Sequence, residues 1–172
     1  MKETLLQASN FTVERREFDH PKVGRVWREL VVHPGAVLIL PLLAPEKVIL
    51  IHNYRFAVSA ELLELPAGTL EPEEQPIDCA ARELEEETGY AAGKIEPLCE
   101  FYTSPGFTDE RMFVFLASDL TATAQRLDST EQIRVAIMDL SDALAATADG
   151  RIVDGKTIAA LQLYHYRRSR RP

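Results

Sequence analysis

The sequence has little cysteine and no long apolar segment, and both absences narrow what the protein can be. Its 172 residues include two cysteines, Cys79 and Cys99, which are too few for a disulfide framework and have no metal-ligand spacing around them. The longest apolar run, residues 36–44, is interrupted by Pro41 and is too short to cross a bilayer. The first ten residues contain no apolar stretch typical of a signal peptide. We therefore expect a cytoplasmic protein with no membrane segment.

A basic surface is also absent. The formal net charge is −8, and the negative charge is concentrated in one place. Residues 61–87 contain ten acidic side chains and one basic one, a local net charge of −9 that leaves +1 for the rest of the chain. Proteins that bind a nucleic-acid backbone show the opposite pattern, so we expect no nucleic-acid partner. The chain length and the 46% hydrophobic content fit one domain with a substantial core.

The acidic stretch predicts a loop followed by a helix. Pro72 and Pro76 allow a helix to begin near Gln75, because proline is tolerated in a first helical turn. Gly89 fits the left-handed position that ends a helix. Residues that recur at helical spacing between these points predict a buried stripe. The stripe consists of Ile77, Ala80, Ala81, Leu84 and Thr88.

Three glutamates of this helix fall on one face. Glu83, Glu86 and Glu87 are three and four residues apart, so their side chains project together. Like charges in this arrangement weaken a helix, and Arg82 alone cannot neutralise them. One interpretation is a solvated acidic face, which is common for carboxylates at this spacing. The other is a site for a hard divalent cation, which prefers oxygen ligands.

The complete string favours the cation site, because it resembles the Nudix box. Gly68 is followed after five residues by Glu74, and after seven more by the run from Arg82 to Tyr90, RELEEETGY. The pattern fixes nine positions over 23 residues, and all but the last are matched here. Tyr90 stands where the family usually has a bulky aliphatic residue. The chain therefore resembles the Nudix hydrolases.

The resemblance implies a catalytic arrangement. The backbone carbonyl of Ala67 with Glu83 and Glu87 would hold Mg²⁺, and Glu86 would share or bridge the ions; Mn²⁺ or another divalent cation could replace Mg²⁺. Glu131, just ahead of a predicted strand at 133–138, matches the late glutamate that orients or deprotonates the attacking water. Ser129 stands where family members often have a second glutamate. Arg82, with Glu74, would support the loop-helix geometry.

Other residues resemble those of the ADP-ribose pyrophosphatases within this family. Pro105 lies sixteen residues after Gly89, as in that subgroup, and Ser104 belongs to the same loop. Arg55 resembles an arginine that meets a phosphate, although a surface arginine paired with a nearby acid is the alternative. Glu110 could accept hydrogen bonds from ribose hydroxyls. Trp27, the single tryptophan, is either a packing residue or a surface on which adenine stacks.

The resemblance also implies a fold and an assembly. The fold is of the α/β class, an αβα sandwich with a mixed sheet, preceded by short N-terminal antiparallel strands. We expect residues 1–34 to form those strands and residues 35–172 to form the Nudix domain. A hairpin over residues 11–32 is barely stable alone, and it matches strands that dimeric ADP-ribose pyrophosphatases exchange between subunits. A homodimer is therefore expected.

The function expected from these resemblances is the Mg²⁺-dependent hydrolysis of ADP-ribose to AMP and ribose 5-phosphate. The partner would be a small nucleoside diphosphate sugar. Two alternatives stay open: a hydrolase of other nucleoside diphosphate sugars, and a non-catalytic module of the same fold that senses a nucleotide. Such modules usually lose box glutamates, whereas this chain retains all of them.

Overall fold

The computed structural model describes residues 1–170, so the predicted 35–172 domain extends two residues beyond the described part. Its strands and helices follow one another in two groups, an N-terminal three-stranded sheet and a larger α/β body. The strands are β1 (Lys2–Gln7), β2 (Thr12–His20), β3 (Gly24–Val32), β4 (Ala36–Ala44), β5 (Lys47–Arg55), β6 (Ala60–Glu64), β7 (Ala67–Thr69), β8 (Tyr90–Tyr102), β9 (Arg111–Ala122) and β10 (Ile133–Asp139). The helices are α1 (Pro76–Thr88), α2 (Leu140–Asp149) and α3 (Gly155–Arg168).

The larger sheet is mixed. Its strand order is β10-β5-β4-β9-β8, with β6 paired to β5 and β7 paired to β4. β4 runs parallel to β9, whereas the other pairings are antiparallel. Two apolar runs, at 37–43 and 47–52, predict a buried antiparallel pair, and β4 and β5 confirm it. β6 and β7 are additions, since the sequence pattern did not indicate them.

Helices cover both faces of this sheet, which confirms the αβα sandwich. Side chains alternate across a strand, so β4 sends Val37 and Ile39 to one face and Leu38 and Leu40 to the other. The first pair packs with α1, whose Leu84 belongs to the same apolar cluster. The second pair packs with the cluster that contains side chains of α2 and α3. The sheet, which includes the short strands β6 and β7, therefore lies between two layers of helices.

The boundaries of α1 agree with the sequence, but part of its buried stripe was wrong. Gly89 has φ of 71° and ends the helix as expected. Ala80, Leu84 and Thr88 are buried, whereas Ile77 and Ala81 are exposed. Cys79 is fully buried. The buried side is therefore rotated from the predicted stripe toward Cys79 and Glu87, because the sheet and the β7 segment meet the helix on that side.

Ser141 and Asp154 are of the residue types that cap helices, so the sequence predicts a helix start at each of them. Asp154 occupies the N-cap of α3 and accepts a hydrogen bond from the backbone N–H of Thr157, as predicted. The cap at Ser141 is wrong, because α2 begins at Leu140 and Asp139 takes the N-cap position. None of the helices among residues 1–170 is both long and apolar enough to cross a membrane.

The N-terminal strands form their own sheet in the order β1-β2-β3. The hairpin expected within 11–32 is present as β2 and β3, and β1 adds a strand that was not predicted. The end of β3 joins the main body through Val31, whose N–H donates to the carbonyl of Phe107 and whose carbonyl accepts from Asp109. This contact places the N-terminal sheet against the loop at 103–110.

Candidate active site

The segment 66–69 lies directly against α1 and leaves room for Glu83. β7 pairs with β4 through Ala67 and Gly68. A Cβ added to Gly68 would lie 1.9 Å from the carboxyl group of Glu83, so any larger residue would displace that carboxyl. Glycine is therefore required here to let a strand backbone approach a carboxylate that closely.

Arg82 neutralises much of the acidic face. Its Nε and Nη2 donate to the two carboxyl oxygens of Glu74 at 2.9 and 3.0 Å, and its Nη1 donates to Glu83 at 2.8 Å and Glu86 at 3.2 Å. The hydrogen bonds from Arg82 lower the pKa of Glu74 to about 2. Glu74 also accepts from the N–H of Glu71. The predicted supporting role of Arg82 and Glu74 thus has a clear geometric basis, a fork that ties the loop to the helix.

Glu87 lies apart from this network and is buried, with 3% of its surface exposed. One carboxyl oxygen accepts a hydrogen bond of 2.9 Å from the backbone N–H of Ala67. Burial raises the pKa of Glu87 to about 8, and the negative charges of Glu83 and Glu131 act in the same direction. Burial likewise raises the pKa of Glu83. A cation bound beside these carboxyls would therefore stabilise their ionised form and lower their pKa values.

The loop that carries Glu131 is attached to the end of α1. Gln125 donates to the carbonyl of Glu87, and the N–H of Arg126 donates to the carbonyl of Glu86. These bonds satisfy carbonyls that the end of a helix leaves without partners. Glu131 itself is exposed and accepts from the N–H of Asp128 at 2.9 Å. Its negative charge helps to raise the pKa of both Glu83 and Glu87, so it lies near them.

A cleft of about 660 Å³ opens beside this region. Its wall includes the β7 segment and residues from β5, β8, β9 and the start of α3. Of the predicted site residues, the lining contains Arg55, Ala67 and Glu110. Glu110 is held by a hydrogen bond from the hydroxyl of Thr103. Its expected contact with a sugar stays a prediction.

Three predicted substrate residues do not line this cleft. Ser104 and Pro105 lie in the adjoining loop, where the carbonyl of Ser104 accepts from Phe107 and Thr108 and closes the turn. Trp27 lies on β3, is 41% exposed, and borders a shallow surface depression with Glu3, Arg15 and Glu29. Contact between Trp27 and a substrate would thus need the cleft of a second copy of the chain. The roles of these three residues stay predictions.

The sequence model of the NUDIX domain matches residues 32–161. The chain belongs to the NUDIX family. This match covers β4 to the middle of α3, so the two helical layers and the sheet are all Nudix structure.

Relatives and a solved structure agree with the assignment. An ADP-ribose pyrophosphatase of Bacillus subtilis (strain 168) is 41% identical over 152 residues, which are 87% of this chain and 81% of that protein. A GDP-mannose pyrophosphatase of Yersinia pestis (strain Pestoides F) is 39% identical over 137 residues, 74% of this chain and 69% of that protein. A crystal structure of an ADP compounds hydrolase has a TM-score of 0.84 at 25% identity, covering 96% of this chain and 90% of its own.

The Nudix box residues fit a divalent cation by their chemistry. The donors are carboxylates, the ligands preferred by Mg²⁺, and two of them have raised pKa values because they are buried without enough positive charge. Within residues 1–170, no three acidic, histidine or cysteine side chains converge on one point. Arg82 donates hydrogen bonds to Glu83 and Glu86, and the backbone N–H of Ala67 donates one to Glu87. The assignment of individual ligands stays a prediction.

Sequence reasoning missed one part of the cleft. The cleft wall beside Arg55 includes Gly155 and Lys156, and Glu64 lies behind it, bonded to Arg55 and Lys156. Asp154, which also lines the cleft, was noted only as a helix cap. Lys156 is 92 residues from Glu64 in the chain. No local spacing could have linked them. The one usable signal was the capping pattern Asp154-Gly-Lys-Thr, which located the helix start but not its neighbours.

The first prediction concerns Gly68. In Gly68→Ala, the new Cβ would overlap the carboxyl of Glu83, so this carboxyl must move away from the β7 backbone. We expect Mn²⁺ affinity to fall by about tenfold or more, about 1.4 kcal/mol, measured by electron paramagnetic resonance. Gly150→Ala, where the new Cβ meets open space, should lose some stability but retain Mn²⁺ affinity. Unchanged affinity in Gly68→Ala would contradict this view of the site.

The second prediction concerns the pH dependence of stability in metal-free buffer. The pKa of Glu87 is 4.5 in its ordinary state and about 8 in the fold. The folded protein therefore holds a proton that the unfolded chain has released, and stability falls as the pH rises through this window. Glu87→Gln should remove this pH dependence. The change in the free energy of unfolding across the window is on the order of a few kcal/mol. Thermal unfolding of both proteins from pH 5 to 8 measures this dependence. Equal slopes of stability against pH in the two proteins would refute the raised pKa of Glu87.

Proposed function

We propose that this protein hydrolyses the pyrophosphate bond of ADP-ribose, giving AMP and ribose 5-phosphate, with Mg²⁺ as the cofactor. The observation that carries the proposal is the cleft, in which the Nudix segment at Ala67 and Gly68 meets Arg55 on one side and Glu110 on another. A substrate with a pyrophosphate and a hydroxyl-rich sugar needs both kinds of contact. The activity of the similar Bacillus subtilis protein supports the same substrate.

The residues of the chain have separate tasks in this proposal. Ala67, Glu83, Glu86 and Glu87 would hold the metal, which when bound neutralises charge on the pyrophosphate and makes water a better nucleophile. Glu131 would orient the attacking water and accept its proton, a contribution of roughly 10²–10⁴-fold in rate. Arg82 would keep the box glutamates in place through Glu74.

A second candidate function is the hydrolysis of another nucleoside diphosphate sugar. It is favoured by the similarity to the Yersinia pestis GDP-mannose pyrophosphatase. The two functions share the pyrophosphate chemistry and differ in the base and sugar contacts. Glu110 can accept hydrogen bonds from the vicinal hydroxyls of either sugar, so the choice of ADP-ribose rests on the loop that carries Pro105 and on the similar Bacillus subtilis protein.

The third prediction tests the substrate. We expect ADP-ribose to exceed ADP-glucose, GDP-mannose and nucleoside triphosphates in kcat/KM by at least ~10-fold, about 1.4 kcal/mol. Sites that bond sugar hydroxyls discriminate strongly against substrates that leave those bonds unmade. Glu110→Gln should narrow the gap more than it lowers Mg²⁺ affinity. Products are identified by mass spectrometry in labelled water.

One result would overturn the choice of sugar without affecting the family. If GDP-mannose or a nucleoside triphosphate turns over faster than ADP-ribose at equal concentration, the ADP-ribose proposal is wrong. If no nucleoside diphosphate sugar is cleaved in the presence of Mg²⁺ or Mn²⁺, the non-catalytic module becomes the better description.

A homodimer is part of the proposal. The N-terminal sheet leaves several large apolar side chains exposed, and a separate three-stranded sheet with such a surface gains from burial against another chain. Trp27 lies outside the cleft of its own chain, so a crossing of residues 1–34 to a partner would bring it to the partner's adenine site. The exposed residues are Leu5, Leu6, Phe11, Phe18, Val23 and Trp27.

The fourth prediction tests this assembly. Deleting residues 1–33 should yield monomers or aggregates with weaker substrate binding, because both the dimer contact and Trp27 are lost. Sedimentation gives the mass and steady-state kinetics give KM. Trp27→Ala in the full chain serves as the matched variant, since it should raise KM while the dimer persists. A folded, fully active monomer from the truncation would rule the assembly out.

The cysteines support a reducing compartment, and we place the enzyme in the cytoplasm. Cys79 and Cys99 are both free thiols. Burial raises the pKa of both thiols, which keeps them protonated and poorly reactive. Free thiols are usual where the cell keeps cysteine reduced.

A further inference from the structure

The loop between β9 and β10 is fastened at its start to the C-terminal end of α1. Residues 123–132 form this loop. The backbone N–H of Thr123 donates to the carbonyl of Gly89 at 2.7 Å, and that of Arg126 donates to the carbonyl of Glu86 at 2.9 Å. Carbonyls at the end of a helix have no partners within the helix, so the loop supplies the donors that they need.

Gln125 adds a hydrogen bond that depends on its side chain. Its Nε2 donates to the carbonyl of Glu87 at 2.6 Å. The backbone of Gln125 also approaches Gly89 closely, since a Cβ added to that glycine would lie 3.0 Å from the backbone nitrogen of Gln125. A backbone N–H such as that of Arg126 is present in every residue except proline, whereas this bond needs a side-chain donor. A substitution at Gln125 therefore removes one attachment of the loop and leaves the backbone attachments in place.

Packing contributes little to holding this loop. Within residues 123–132, all of which the structure describes, Leu127 is half-buried and the other residues are exposed. The turn that follows is closed from both directions. The N–H of Glu131 donates to the carbonyl of Asp128 at 3.0 Å, and the N–H of Asp128 donates to Glu131 Oε2 at 2.9 Å. Hydrogen bonds rather than buried apolar contacts therefore set where Glu131 lies, and segments of this kind open locally at low free energy.

The attachment joins two parts of the proposed chemistry. Glu86 and Glu87 accept the bonds of the loop through their backbone carbonyls, while their side chains are predicted to hold the metal. Glu131, on the loop, is predicted to orient the attacking water. Both are fixed to one helix end, so movement of the loop changes the distance between Glu131 and the metal region. A misplacement of about 1 Å can lower the rate of an enzyme about 10²-fold.

We propose that Gln125 is a positioning residue, which holds the Glu131 loop against the end of α1 through its bond to the carbonyl of Glu87. Gln125 is not among the described residues that line the cleft, so its effect on the reaction passes through Glu131. The inference deepens the proposed function and rests on it, because the role of Glu131 belongs to that proposal. Loss of one hydrogen bond of ordinary strength shifts the position of the loop equilibrium by up to about tenfold.

Hydrogen exchange of the metal-free full chain, followed by nuclear magnetic resonance, tests the attachment without turnover. In Gln125→Ala we expect the hydrogen-bonded N–H groups of Arg126, Asp128 and Glu131 to exchange up to about tenfold faster than in the wild type. Gln125→Glu has a side chain of the same size whose carboxylate cannot donate, so it should exchange as Gln125→Ala does. Unchanged exchange over residues 126–131 in both variants would overturn the inference.

Steady-state kinetics then show whether the attachment acts through Glu131. We expect Gln125→Ala to lower kcat about tenfold, with KM and Mn²⁺ affinity within about twofold of the wild type. In a Glu131→Gln background the same substitution should have almost no further effect on kcat, because residues that act as a unit are not additive. Additive effects would contradict the inference. A loss of Mn²⁺ affinity as large as the loss of kcat would also contradict it, since Gln125 would then act on the metal-binding helix.

Gln162 provides a matched control. Its Nε2 donates to the hydroxyl of Thr147 at 2.6 Å, between α3 and α2, and neither residue is among the described residues that line the cleft. Gln162→Ala should keep the loop exchange and the kcat of the wild type, and a loss of kcat equal to that of Gln125→Ala would count against the inference. Thermal unfolding checks that each variant is folded. Because Gln125 is exposed, we expect both of its variants to fold.

Failure of this inference can be told apart from failure of the proposed function. If ADP-ribose is hydrolysed and the effects of Gln125→Ala and Glu131→Gln add, the inference is wrong and the function stands. If GDP-mannose is cleaved in place of ADP-ribose, the choice of substrate is wrong, and non-additive effects on GDP-mannose hydrolysis support the inference. If Glu131→Gln is as active as the wild type, both the inference and the role proposed for Glu131 are wrong.

Discussion

The acidic face of α1 depends on Arg82, which pairs with most of its carboxylates. One guanidinium holds Glu74, Glu83 and Glu86 through four hydrogen bonds. Without it, carboxylates three and four residues apart would repel one another on a short helix. Partly buried ion pairs of this kind contribute little net stability, because desolvation offsets the attraction. Their value lies in geometry: they keep the loop at 66–74 against the helix, and the site depends on that contact.

Glu87 marks the limit of this compensation. It is buried, it has one backbone N–H as its hydrogen-bond partner, and burial raises its pKa to about 8. A residue selected for stability alone would not be an acid in this place. The buried acid lies at a position of the Nudix box that is predicted to bind the metal. The same pattern of local cost at a functional site is common in enzymes.

The opposite wall of the cleft uses positive charge with a different support. Arg55 and Lys156 rest on the buried Glu64, and Asp154 both holds Lys156 and caps α3. A helix cap is thus also part of the wall. The start of α3 also lies near the box segment, because the N–H of Leu65, two residues before Ala67, donates to the hydroxyl of Thr157.

The sequence alone determined the box, its helix and most of the sheet. Gly68, Glu74 and the run at 82–90 have fixed local spacings, and α1 follows because its proline start and glycine end are local signals. The strands β4 and β5 followed from continuous apolar runs, and β10 followed from the alternating pattern at 133–138. Even here the buried side of α1 was misjudged at Ile77 and Ala81, because the direction from which a sheet meets a helix is not a local property.

The tertiary structure decided which distant residues share the cleft. Glu64 and Lys156 are 92 positions apart, and they meet because β6 pairs with β5 while α3 packs across the same face of the sheet. The position of Trp27 was likewise decided by the tertiary structure. The sequence predicted the strand that carries it, but not that this strand lies away from the cleft of the same chain. Local spacing follows from backbone geometry within one helix or strand. Which elements become neighbours follows from burial of the whole core, a sum over contacts that short stretches of sequence do not contain.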